Sequence, residues 1–400
     1  MSVSAANATS QEAAGGTLAP GAPADPHEAR KAKLGAGLLS VYGVGAMVDA
    51  TTSVYLGTFL YFYLTAVCGM SGTLAGTALG AALVVDSVVD PLVGSLSDNS
   101  RSRLGRRHPF MAAAIVPIVV SLGLLFSVPA GMSGLTLLGY VVALTLAFRF
   151  GLSAFNVPYI ALGAEISDDY NERSTIVAYR VGVGAIGTVA TLILGYGVFL
   201  SNKDGGLLHR AGYAPFAWCG GAIVAVAAIL CVIGTLRARA RLHPLAADDG
   251  GAALWRFLRE MGEVFRNRSF NILFGACLIF FVAQGASGAL TLHANTFFWG
   301  LAPRQILVIS LSGIPGLLVG IFVTALMTRW FEKRTIALIG LALICICQFS
   351  PVTLRLAGVV PATGAGPMSV LIASVFIASL GVAMAVVGFQ SMMADAADEH

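Results

Sequence analysis

Asp86-Ser-Val-Val-Asp90-Pro-Leu-Val-Gly-Ser-Leu-Ser-Asp98-Asn-Ser-Arg101-Ser-Arg-Leu-Gly-Arg106-Arg-His-Pro109 is the stretch that decides the architecture. It begins inside an apolar run, Gly76 to Leu96, that reads as a membrane helix, and it ends in a basic loop that belongs in water. Asp86 and Asp90 stand four residues apart in that run, so one helical face carries both. A charged carboxylate at bilayer depth costs several kcal/mol unless a partner, a cavity or a cation meets it. Two on one face point to a polar cavity inside a helical bundle. A buried structural ion-pair network is the other reading.

Composition agrees. The chain has 400 residues, 57% of them hydrophobic and 11% charged, with a mean hydropathy of +0.82. A soluble domain carries about 25% charged residues, so this is an all-α polytopic membrane protein. The 47 glycines suit close helix contact. The six cysteines (Cys68, Cys219, Cys231, Cys277, Cys345, Cys347) lie in apolar runs without metal-ligand spacing, which indicates neither a metal site nor a disulfide framework. The net charge of +4 concerns membrane orientation and gives no argument for nucleic acid.

Residues 1–33 read as a disordered cytoplasmic tail, without the apolar h-region of a signal peptide. Ten apolar runs follow, at about 35–66, 73–97, 109–130, 134–165, 174–200, 213–236, 270–299, 304–329, 335–355 and 367–394. With the amino terminus in the cytoplasm, the cytoplasmic segments hold 18 Lys and Arg residues and the opposite side holds 4. That bias selects the orientation and supports the segmentation. A polar linker, 237–268, separates a six-helix bundle (34–236) from a second bundle of about four helices (269–400). Weak internal symmetry relates the halves. Basic turns follow helices two and eight, and acidic ends close helix four (Glu165 to Asp169) and helix ten (Asp395, Asp398). Paired halves are a signature of secondary transporters.

The first half also carries Asp49, roughly 22 Å along helix one from Leu34 at 1.5 Å per residue. Helix four adds Arg149 and Asn156, and helix five adds Arg180. Three acids against two bases leave one unmet negative charge, a place for a monovalent cation: Na⁺ on carboxylate oxygens or H⁺ on one of them. The alternative is one permanently protonated, inert acid. Pro91 is expected to weaken the helix ladder beside Asp90, and Pro158 either to do the same near the site or to act as a packing kink only. Asp98 with Arg101, Arg103, Arg106 and Arg107 reads as a gate at the cytoplasmic mouth, or as a plain topology-fixing loop. Gln284, His293 and Asn295 are polar groups in the apolar run of helix seven, either hydrogen-bonded helix contacts or part of the cavity lining from the second half, and Trp218, Trp299 and Trp330 are expected to anchor helix ends at the interface. Gly182, Gly184 and Gly187 read as packing positions.

Four stretches give the first half a family resemblance: Tyr42-Gly-Val-Gly-Ala-Met-Val-Asp49, the Asp86 to Arg106 run, Asn156-Val-Pro-Tyr-Ile-Ala-Leu162 through Glu165 to Arg173, and Tyr179-Arg180. Gln390-Ser-Met-Met-Ala-Asp395 adds to them. The chain resembles the major facilitator superfamily and, within it, the glycoside–pentoside–hexuronide:cation symporters. The resemblance implies a major facilitator fold of two pseudo-symmetric helical halves, with ten helices present of an expected twelve. It also implies Asp86, Asp90 and Ser153 at the coupling cation, and Asp49, Arg180 and Asn156 at the sugar. Arg149 joins the substrate group on its position. Val89 stands where the family has an amide that helps hold Na⁺, which tilts the expectation toward H⁺. Val48 and Ile160 stand where the galactoside site has a lysine and a stacking tryptophan, so that specificity does not transfer.

The expectation is therefore a cation-coupled symporter of a sugar or glycoside in the inner (plasma) membrane, working by alternating access, with no cofactor beyond the cation. A carrier of lipid-like solutes on the same fold and a non-transporting membrane sensor are the alternatives. No H-E-x-x-H, nucleophile elbow or phosphate loop occurs in the sequence, which argues against an enzyme.

Overall fold

The computed structural model describes residues 34–100, 102, 104–167, 169–202, 205–236, 268–361 and 365–398. The expected tail, nearly all of the expected linker, and Arg101 and Arg103 of the expected gate lie outside the described residues.

The first span is α1 (Ala36–Val44) and α2 (Ala46–Val54), continued by wider π-helical segments at Tyr55–Leu60 and Tyr63–Val67. Then come α3 (Gly72–Asp98), α4 (His108–Leu125), α5 (Gly134–Ile166) and α6 (Tyr170–Leu192), which ends in a π-helical segment, Ile193–Phe199. α7 (Tyr213–Thr235) closes the first half. The second half holds α8 (Arg268–His293) with its π-helical end Ala294–Phe298, α9 (Pro303–Met327), α10 (Lys333–Leu356) and α11 (Ala365–Asp398). Among the described residues nine helices are long and apolar enough to cross a membrane; the composite first span makes the tenth. Large apolar side chains cover the outside, among them Val84 at 70%, Ile279 at 73% and Phe322 at 71% exposure. Such a surface is stable only against lipid.

Local chemistry sets the boundaries. The Ser71 hydroxyl accepts from the Leu74 N–H and starts α3, and the Asp169 carboxylate accepts from the Glu172 N–H and starts α6. α4 stops at Leu125, short of the expected 130, and Phe126 caps it outside helical conformation at φ -97, ψ 2. Neither Pro91 nor Pro158 interrupts its helix. α3 and α5 run through both, since losing one N–H leaves the neighbouring turns bonded and the surrounding helices hold them. The discontinuity lies instead at Gly45, between α1 and α2. A Cβ there would stand 2.6 Å from both Cys231 Sγ and the Tyr159 ring.

In the first half α3 and α4 both pack along α5, α4 also rests on α7, and α1 and α2 pack against α6 and α7. Tyr42, Tyr55, Phe59, Tyr63, Phe126 and Phe216 fill its core. In the second half α9 and α10 both pack along α11, repeating the arrangement of α3 and α4 on α5. Gly340 and Gly381 let α10 and α11 cross backbone to backbone: a Cβ on either would stand 2.6–2.7 Å from the other's carbonyl oxygen. Gly184 and Gly187 face α2 as packing positions, while Gly182 has nothing within 4 Å.

Named contacts between the halves sit at the end remote from the basic loop. His293 Nε2 lies 2.8 Å from Thr65 Oγ1. Thr65 Oγ1 also lies 2.7 Å from the Tyr61 carbonyl oxygen. Tyr61, Phe62 and Phe297 surround the ring. α9 packs on the Ile193–Phe199 segment at the same end.

Candidate ion- and solute-binding site

One cavity of about 280 Å³ is lined by Asp49 of α2, Asp86 and Asp90 of α3, and Arg149, Ser153 and Asn156 of α5. Helical spacing explains each group. Asp86 and Asp90 are one turn apart on α3, while Arg149, Ser153 and Asn156 follow at intervals of four and three along one stripe of α5. Because α3 lies along α5, the two stripes meet. Arg149 Nη1 donates to Asp86 Oδ2 at 2.9 Å, with the two side chains 23% and 18% exposed. Asn156 Nδ2 donates to Asp49 Oδ1 at 2.9 Å. Asp86 Oδ1 and Asn156 Oδ1 are buried acceptors without a partner among the described residues. Leu152, Val157 and Ile160 supply the apolar part of the lining.

Six of the seven residues expected at the cation and the solute thus surround one space. Arg180 does not. Its guanidinium lies over the Tyr159 ring, 5.8 Å from the centroid. Tyr159 is held in turn by Tyr42: the rings stack at 4.6 Å, the Tyr159 hydroxyl donates to the Tyr42 carbonyl at 3.0 Å, and the Tyr42 hydroxyl donates to the Tyr159 carbonyl at 3.2 Å. Two buried tyrosines that satisfy each other's backbone join α1 to α5 beside the Gly45 discontinuity. Tyr42 and Tyr159 were in the sequence motifs but not among the expected site residues.

The basic loop meets an acid beyond the expected group. Arg106 and Arg107 both donate to Glu165 Oε1 at the end of α5, and Arg107 Nη2 lies 3.2 Å from Asp98 Oδ1. Gly105 turns the chain with φ 96, a left-handed conformation that glycine adopts freely, just before the two arginines. Glu165 was not among the expected gate residues. Its signal was the acidic end of helix four, Glu165 to Asp169, on the side where four arginines cluster.

The second half holds a separate cavity of about 370 Å³, lined in part by Gln284, Ser287, Asn295 and Gln348. Of the three polar groups of helix seven, Gln284 and Asn295 line this second cavity, while His293 is a hydrogen-bonded helix contact that faces Thr65. Trp299 is buried at 7% exposure under the Arg355 guanidinium rather than interfacial, and the Trp218 ring packs against Gly123. Trp330, 70% exposed, stands at a helix end as an interfacial anchor would.

Residues 41–400 match the family model described as MFS/sugar transport protein. An uncharacterised symporter of Synechocystis is 31% identical over 160 residues, covering 38% of this chain and 29% of the relative. A sodium-dependent lysophosphatidylcholine symporter of Mus musculus is 34% identical over 153 residues, covering 37% of this chain and 28% of the relative. These matches span less than a third of each relative's length. Among solved structures, the bacterial homologue of the lysosomal transporter Spinster aligns with a TM-score of 0.54 at 11% identity, over 94% of this chain and 80% of that one. The xylose transporter XylE of Escherichia coli aligns with a TM-score of 0.51 at 15% identity, over 90% and 86%. At such identities the likeness is one of fold.

Proposed function

The chain belongs to the MFS/sugar transport protein family and carries the major facilitator fold, and we propose that it is a cation-coupled symporter of a sugar or glycoside. The observation that carries the reading is one cavity at membrane depth lined by three carboxylates and a single guanidinium. Such a site holds excess negative charge where water is scarce, and a monovalent cation relieves it. Asp86, Asp90 and Ser153 form the cation position, with Val89 beside them favouring H⁺ over Na⁺. Asp49, Asn156 and Arg149 present carboxylate, amide and guanidinium to solute hydroxyls, and Arg180 supports them through Tyr159. No cofactor beyond the cation enters, and the protein acts as a carrier rather than an enzyme.

The positive bias puts the basic loop and the amino terminus in the cytoplasm, with the chain in the inner (plasma) membrane. The halves touch at the opposite end, so the site opens toward the cytoplasm in this state. The two halves rock about the site, and cation and solute stabilise the same closed state, each tightening the other's binding. Asp98, Arg106 and Arg107 with Glu165 set the shape of the cytoplasmic mouth, and Arg101 belongs to the same loop.

The test is solute uptake driven by an imposed H⁺ or Na⁺ gradient. Asp90→Asn should lower it by at least about tenfold, the effect of losing about 1.4 kcal/mol of cation binding. Asp86→Asn should do the same and also strand Arg149. Full gradient-driven uptake in both variants overturns the reading. A lipid-like solute is the second reading. It is favoured by the apolar strip Leu152, Val157 and Ile160 in the lining and by the likeness to lysophosphatidylcholine symporters; uptake of a labelled lysolipid in place of any sugar would establish it.

A further inference from the structure

We infer that the solute carries one positive charge, a protonated amine or quaternary nitrogen on a hydroxylated frame, and that Asp49 is its seat. The inference rests on the cavity being the symport site. Its ground is a charge balance that differs from the one the sequence suggested. With Arg149 and Arg180 both counted against three acids, one negative charge is left over. The structure removes Arg180 from the lining and lays it over Tyr159. Arg149 alone remains, and it is committed to Asp86 at 2.9 Å. Among the described residues neither Asp49 nor Asp90 has an ion-pair partner. The cavity therefore holds two unmet negative charges.

One monovalent coupling cation meets one of them. When the halves close on the loaded site and water leaves, a remaining unit charge costs several kcal/mol. A neutral sugar leaves that charge in place. A solute with one positive charge cancels it. The cavity has two acidic stations to divide between the ligands. Asp86 and Asp90 share one turn of α3 with Arg149 against them, and Asp49 stands apart on α2 beside Asn156. The second station also offers a neutral group: Asn156 Oδ1 is a buried acceptor without a partner among the described residues. A carboxylate and an amide oxygen accept from an ammonium.

Glucosamine, glucose and choline separate the possibilities. The full chain is reconstituted in liposomes with the membrane potential clamped, and uptake of each is measured under H⁺ and Na⁺ gradients. Glucosamine should exceed glucose by about tenfold, the worth of about 1.4 kcal/mol of charge pairing. Asp49→Asn should erase that preference, and Asp49→Glu, which keeps the charge, should retain it. Choline exceeding both sugars supports the inference and assigns the charge to a quaternary nitrogen. Glucose taken up as well as glucosamine, with Asp49→Asn unchanged in preference, overturns the inference and leaves symport standing. Uptake of none of the three under either gradient counts against both.

Discussion

Glu165 shows how a single carboxylate organises an end of the molecule. It accepts from both Arg106 and Arg107, with its side chain 14% exposed and that of Arg107 7% exposed. Removing one partner of a well-buried ion pair leaves the other charge stranded, at a cost of roughly 3 kcal/mol. Asp98 also touches Arg107, but its side chain is 55% exposed, and water screens such a pair to at most about 1 kcal/mol. Glu165→Gln is therefore expected to lower the thermal unfolding midpoint in detergent clearly, and Asp98→Asn to leave it within error. Equal losses in the two variants would show that the loop is held by something other than burial of these charges. The residue scale is also where sequence reading fell short. Asp49, Asp86, Asp90, Arg149, Ser153 and Asn156 were legible because polar groups at membrane depth stand out against an apolar background. Arg180 stood out for the same reason, yet hydropathy says nothing about which neighbour a long side chain reaches.

The elements carry a repeat more exact than the sequence shows. At the end of the first span the Cys68 N–H bonds the Tyr63 carbonyl, the Met70 N–H bonds the Leu64 carbonyl, and Gly69 between them takes φ 72. At the end of α8 the Trp299 N–H bonds Ala294, the Leu301 N–H bonds Asn295, and Gly300 takes φ 62. Both ends widen to π-helical turns and close on a left-handed glycine, a helix stop that needs no Cβ. The two stops correspond by position in their halves, and the polar tie between halves, Thr65 to His293, joins the same two π-helical ends. Thr65→Val removes that tie, worth about 1 kcal/mol, and should shift the balance toward opening at this end by about fivefold. Faster labelling of Cys68 by a charged thiol reagent, located by mass spectrometry, would report it. An unchanged rate would show that the aromatic contacts around His293 alone keep the end closed.

At the scale of the whole molecule, two bundles closed at one end leave the acidic cavity reachable from the other. Asp90 is exposed and lies eight residues from the basic end of α3, about 12 Å along the axis. A cysteine at that position should react with a charged thiol reagent supplied from the basic-loop face and stay protected from the opposite face. Labelling from the far side at a comparable rate would mean that the closed end is not the resting arrangement. In the proposed symport cycle this is the state that releases the cation on the basic-loop side, and the other state captures it.

The number of spans, their boundaries to within a few residues, the charge bias between the two faces and the presence of acids in the bilayer were all decided by the sequence alone. Each follows from hydropathy, a property that a short window of chain carries by itself. The tertiary structure alone decided which arginine meets which carboxylate. Arg149 reaches Asp86 across 63 positions and Arg106 reaches Glu165 across 59, while Arg180 turns to an aromatic ring. Those pairings depend on how each helix is rotated against its neighbours, and that rotation is set by packing at glycines and buried tyrosines far along the chain, so no local window contains it.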